Sequence, residues 1–151
     1  MGDLINFIDF IVEAKRNTYA SNAKKDKPLR PNSTDYSYKK YNYYYQDSFL
    51  GSKNFVGEER VWKDEKVYWG MNYRGELLVN ETPTGFSKFL KKTLQNVSEK
   101  SPFRGPRYFE DGAFTYICTW DGSIDSFHGK ESISHCGEEI YTLHFHGGKL
   151  K

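Results

Sequence analysis

Between residues 3 and 15 the apolar positions fall at Leu4, Ile8, Ile11 and Val12, with Phe7 and Ala14 widening the stripe. That is the period of an amphipathic helix, and Asp3 is placed to cap its start. Residues 84–97 repeat the pattern with Phe86, Phe89, Leu90, Leu94 and Val97. Elsewhere the spacing predicts strands, at about 41–50, 53–62, 66–74, 113–120, 123–134 and 138–146. Gly51-Ser52, Lys63-Asp64-Glu65, Asp121-Gly122 and Cys136-Gly137 supply the turns between them. Residues 20–35, rich in Lys, Pro, Asn and Ser, read as a loop. The predicted order is α-βββ-α-βββ.

An order that repeats itself invites a search for an internal repeat. Sliding the chain by 72 residues aligns 44–75 with 116–147 without a gap. Tyr44 then meets Tyr116, Phe55 meets Phe127, Gly57 meets Gly129, Glu59 meets Glu131 and Gly75 meets Gly147. The expected fold is therefore α+β: a tandem αβββ repeat in one domain, with antiparallel sheet packed on two helices. The pseudo-repeats span about 1–78 and 82–148.

Composition changes this picture in one respect. The chain has 151 residues, among them 12 Tyr, 11 Phe and 3 Trp, so rings must supply much of the core. A net charge of +2 carries no general nucleic-acid signal. No apolar run is long enough for a membrane helix, and Leu4–Ala14 lacks the flanks of a signal peptide. Cys118 and Cys136 read as reduced thiols, and the expected setting is cytoplasmic.

A three-residue turn at His135, Cys136 and Gly137 would pair Ile133 with Glu139, Glu131 with Tyr141 and Phe127 with Phe145. A three-residue turn at 63–65 would likewise pair Phe55 with Tyr73 and Glu59 with Trp69. Glu59 and Glu131 then lie inside apolar rows, where an unpaired carboxylate is costly. An Arg-Pro element precedes the strands of each half, at Arg30-Pro31 and Arg104-Gly105-Pro106. Three readings follow. Each arginine closes a structural salt bridge with its own glutamate, the pair of glutamates lines a ligand cavity with Trp69, Tyr141, Arg30 and Arg104, or a bulge turns the glutamates outward.

The opposite face of the same hairpin would set His128 across from His144, with His146 two residues on. Three imidazoles on adjacent strands suit a tetrahedral metal such as zinc with one open position, or are simply half-exposed sheet residues. The segment Tyr36–Tyr45, behind Lys24, Lys25, Lys27 and Arg30, has the rings and cations that single-stranded nucleic acid would use. A solvated loop leading into a tyrosine-rich strand explains it as well, and nucleic acid is not the favoured partner. No P-loop, dinucleotide fingerprint or nucleophile elbow is present.

Five pieces carry a family resemblance: Tyr45-Gln-Asp-Ser-Phe-Leu-Gly51, Phe55-Val-Gly-Glu-Glu59, Trp69-Gly-Met-Asn-Tyr-Arg-Gly75, Pro102-Phe-Arg-Gly-Pro106 and His146-Gly-Gly148. Through them the chain resembles, nearly end to end, an uncharacterised bacterial and archaeal family described as a domain of unknown function. Some of its members place the domain behind a Cro/C1-type helix-turn-helix, which implies a sensing or effector-binding role by association. In outline the chain is also similar to the effector-binding domains of the gyrase-inhibitor-like group. The expected function is a soluble small-molecule-binding module. The alternatives are a metal-dependent hydrolase using His128, His144 and His146, and a protein- or nucleic-acid-interaction domain.

Overall fold

The computed structural model describes residues 4–151. Asn6 opens the first helix, α1 (Phe7–Arg16), by accepting from the Asp9 N–H at 2.9 Å. Asp3, the expected cap, lies outside the described residues. Four strands follow: β1 (Thr34–Lys40), β2 (Tyr43–Gly51), β3 (Asn54–Lys63) and β4 (Lys66–Leu77). A second helix, α2 (Phe86–Leu94), precedes β5 (Tyr108–Asp111), β6 (Phe114–Ser123), β7 (Ser126–His135) and β8 (Glu138–Lys149). All eight strands form one antiparallel sheet in the order β1-β2-β3-β4-β8-β7-β6-β5, so the architecture is α+β.

Each half thus carries four strands, where the pattern predicted three. The additions are β1 and β5, the two edges of the sheet. Their sequences, Thr-Asp-Tyr-Ser-Tyr-Lys-Lys and Tyr-Phe-Glu-Asp, are polar and charged, as edges that must resist further pairing are. Among the described residues no helix is long and apolar enough to cross a membrane.

Both helices lie on one face of the sheet, held by rings. Phe10 of α1 stacks on Tyr43 with centroids 4.9 Å apart, and Phe89 of α2 stacks on Phe114 at 5.1 Å. Between them Phe103 packs against Phe127 at 4.5 Å and stacks on Phe145 at 5.6 Å. The other face carries Tyr44, Glu58, Asn72, Arg74, His144 and His146.

The two hairpins that fix the glutamates differ from the expected geometry. Their loops have two residues, Asp64-Glu65 and Cys136-Gly137, all in the left-handed region, with φ of 50°, 66°, 51° and 83°. A two-residue loop alone would send each glutamate to the opposite face. A bulge restores the parity: Tyr68 is skipped between Val61 and Trp62, and Ile140 between Ile133 and Ser134. The pairing is therefore displaced by two residues from the expected one. Glu59 faces Met71, Glu131 faces Leu143, Gly57 faces Tyr73 and Gly129 faces Phe145. The predicted faces hold, although the predicted partners do not.

Those last pairs explain the Phe-x-Gly-x-Glu motif. A Cβ on Gly57 would lie 2.5 Å from the Tyr73 Cζ, and one on Gly129 would lie 2.3 Å from that of Phe145. Each glycine is the seat of a ring from the neighbouring strand. Gly57→Ala and Gly129→Ala should each lower the melting temperature by roughly 3–8 °C, as overpacking by one methyl does in a domain of this size. Gly70→Ala, where the nearest atom is 3.7 Å away, serves as the near-neutral control.

Candidate functional site: a buried charge cluster with a small cavity

Glu59 and Glu131 are fully buried on the helix-covered face. Each is met by a cation and by tyrosine. The Arg104 guanidinium reaches the Glu131 Oε1 through Nη2 at 2.9 Å and Nε at 3.2 Å. The Tyr141 hydroxyl donates to the same oxygen at 2.8 Å, and the Tyr116 hydroxyl donates to Oε2. Arg104 is presented by the segment between α2 and β5. There the Gly105 N–H donates to the Tyr116 hydroxyl at 3.0 Å, so the tyrosine relays the backbone to the carboxylate. Arg104 and Glu131 form the salt bridge that the sequence offered as one of three readings.

Glu59 has a different partner. Lys15, on the last turn of α1, places its Nζ 3.2 Å from the Glu59 Oε1 and donates to the Phe103 carbonyl. The Tyr45 hydroxyl also donates to Glu59. Arg30, expected in this role, instead donates to the Ser48 hydroxyl at 2.8 Å, away from the cluster. The reason is positional. Lys15 continues the apolar stripe of α1, four residues after Ile11, so its ammonium is delivered to the core. Burial lowers its pKa, and the Glu59 carboxylate is the chief influence opposing that.

A third carboxyl joins them. Asp47 lies on β2 two residues after Tyr45, on the same face, and stands opposite Glu59. The Tyr73 hydroxyl donates to its Oδ1 at 2.6 Å. Two cations and two glutamates already balance, so Asp47 is the unmatched acid of the cluster. Burial and the neighbouring Glu59 raise its pKa to about 7, against the opposing pull of the Tyr73 hydrogen bond, Arg104 and Lys15.

Above Asp47 lies a cavity of about 180 Å³. Phe49, Phe55, Leu90 and Leu94 give it apolar walls, and Asp47, Tyr73, Tyr19 and Arg104 its polar end. The Arg104 guanidinium is 5.1 Å from the Tyr19 ring centroid and 5.6 Å from that of Tyr73. The Tyr19 hydroxyl is buried and has no hydrogen-bond partner among the described residues. At about 30 Å³ per water, the space corresponds to roughly six waters. It would admit a compact organic molecule with a hydrogen-bonding end.

Of the ligand-binding residues expected from sequence, Arg104 alone lines this cavity. Glu59 and Glu131 are engaged in their ion pairs. Tyr141 serves Glu131, and Trp69 is a core residue that donates to the Ile124 carbonyl at 2.9 Å. Lys15, Tyr19, Asp47 and Tyr73 were not anticipated. For Lys15 the helical period carried the signal, and for Asp47 the strand parity did. Tyr19, beyond the helix, had none.

The histidines lie on the opposite, open face. His128 pairs across the strands with His146, not His144, and its Nε2 sits 3.3 Å from the Asp121 Oδ2. His144 stands two rungs away, between Lys130 and Arg74. Among the described residues no group of three or more His, Cys, Asp or Glu is placed to hold a metal ion.

Asp47 makes stability depend on pH in a defined direction. Its folded pKa lies above the unfolded value, so the folded state binds the extra proton and loses stability as pH rises from about 4 to about 7. Asp47→Asn lacks that loss. Its melting temperature relative to wild type should climb by roughly 5–10 °C between pH 4 and pH 7 and then level off. Calorimetry across that range checks it.

The model of the family Domain of unknown function (DUF5680) matches residues 47–150. The matched stretch holds Asp47, Glu59, Tyr73, Arg104 and Glu131, whereas Lys15 and Tyr19 precede it. No curated protein and no solved structure matches the chain. With more than half its length covered by that model, the chain belongs to the family Domain of unknown function (DUF5680).

Proposed function

We propose that this protein is a small-molecule-binding module whose ligand occupies the cavity above Asp47. The observation that carries the reading is Tyr19, which lines a cavity with Asp47 and Arg104 and whose buried hydroxyl has no partner among the described residues. Ligand pockets combine apolar walls with a few converging polar groups, and this one has that composition. The apolar body of the ligand packs against Phe49, Phe55, Leu90 and Leu94. Its polar end takes the Tyr19 proton and faces Asp47. An acid with a pKa of about 7 offers a hydrogen bond when protonated and a counter-charge when ionised, so binding is coupled to proton uptake or release.

The two halves are read as copies of one α-ββββ unit. In support, β4 and β8 pair Tyr73 with Phe145, 72 residues apart, and the skipped residues Tyr68 and Ile140 have the same separation. Tyr45 and Tyr116 make matching bonds to Glu59 and Glu131 at a separation of 71, so the copies differ by one residue near the β2–β3 and β6–β7 turns. The acid belongs to one copy only, and the cavity beside it is closed by Leu90, Leu94 and Arg104 of the other. Cys118 stands opposite Glu131 where Asp47 stands opposite Glu59, and Phe145 replaces Tyr73. The absence of a disulfide between the free thiols Cys118 and Cys136 is compatible with a reducing, cytoplasmic setting.

A thermal-shift screen of metabolites at pH 6 and pH 8 tests the reading. At least one compound should raise the melting temperature, with an effect that differs between the two pH values. Tyr19→Phe should weaken that compound about fivefold, the value of one hydrogen bond, and Asp47→Asn should abolish the pH difference. Hits that ignore both substitutions, or no hits at all, contradict it.

A further inference from the structure

We propose a second, separate ligand site: a cleft at the end of the sheet where the β1–β2 and β3–β4 hairpins turn, shaped for an uncharged saccharide ring. Its volume is about 700 Å³, and Lys39, Tyr41, Asn42, Tyr44, Trp62 and Asp64 are among its lining residues. Tyr44 and Trp62 are direct cross-strand partners on the open face of the sheet, with ring centroids 5.5 Å apart and planes tilted by 38°. Tyr41 stands at the edge of the cleft, 53% exposed.

Three observations say that these rings are not there for the fold. First, the corresponding rung of the other half, also immediately beyond the bulge, pairs Thr115 with Ser134. The same hairpin therefore closes without an aromatic pair. Second, Tyr41 takes φ 55° in the two-residue β1–β2 turn; the turn demands the left-handed conformation but not an aromatic residue, which fits it less readily than Gly or Asn. Third, the two turns are tied together, which sets the cleft before any ligand arrives. The Asp64 N–H donates to the Asn42 carbonyl at 2.9 Å, and the Asn42 Nδ2 donates to the Asp64 Oδ1 at 3.2 Å.

The chemistry of the walls selects the ligand. Flat aromatic faces receive the C–H face of a pyranose, while the carboxylates of Asp64 and Glu65 accept from its hydroxyls. Asp64 and Glu65 outnumber the single cation of the lining, Lys39, which disfavours a phosphate. A cationic guest is disfavoured because Lys40 already holds its Nζ 5.8 Å from the Tyr41 centroid, in an ion pair with Glu13 at 2.8 Å. An uncharged, hydroxyl-rich ring is the class that remains.

Titration of the whole protein with maltose, cellobiose and lactose tests this, with AMP and tetramethylammonium run in parallel. Intrinsic fluorescence and the indole N–H resonance of Trp62 report binding. At least one disaccharide should bind at up to about 20 mM, with the shift centred on Trp62. Trp62→Ala and Tyr44→Thr should each weaken it about tenfold or more, while Asp47→Asn leaves it unchanged. No disaccharide binding at that concentration overturns the proposal, as does binding that spares the Trp62 resonance or binding of AMP or tetramethylammonium alone. Should an alanine variant unfold, the Trp62 resonance in the wild-type protein decides.

Discussion

Two carboxylates buried inside one sheet face are the constraint around which the rest of this molecule is arranged. Removing a carboxylate from water costs several kcal/mol unless a cation and further donors meet it. Tyrosines of neighbouring strands supply the donors, and the cations that meet the two glutamates arrive from outside the sheet. Lys15 comes on the end of α1, and Arg104 comes on the segment between α2 and β5. The requirement thereby dictates where both covering elements sit. Lys15 also donates to the Phe103 carbonyl, which joins the two deliveries into one cluster.

Once the two glutamates are balanced, Asp47 becomes informative. It has no cation of its own, and its proton is held only by burial and by Glu59, with Tyr73 as its hydrogen-bond donor. Opposite Glu131 stands Cys118, whose thiol burial pushes up to about 12, so it stays a neutral small residue. There Phe103 stacks on Phe145 and the space is filled. A packed core therefore lies beside Cys118, and a cavity closed by Leu90, Leu94 and Arg104 lies beside the titrating Asp47. The same framework serves as scaffold on one side and as candidate site on the other.

Much of this was legible in the chain, and the failures have physical causes. Helical period and strand alternation located both helices and six strands, because those elements bury one face. The edge strands β1 and β5 bury little, and their Lys, Ser and Asp residues read as loop. The register was displaced because Asp64, Glu65 and Cys136 adopt left-handed φ without being glycine, which a sequence does not announce. The glutamates were nevertheless assigned to the correct face, since a two-residue turn and a bulge together preserve parity. Arg104 meets Glu131 as the salt-bridge reading had it. Arg30 does not meet Glu59, because a lysine on a helical stripe reached that carboxylate first.

The most direct test is a double-mutant cycle on Lys15 and Glu59, measured by chemical denaturation of Lys15→Met, Glu59→Gln and the double variant. If buried charge compensation holds α1 on the sheet, each single variant loses about 3–5 kcal/mol, and the double loses no more than the worse single. Single losses below about 1 kcal/mol, or losses that simply add, would contradict the account.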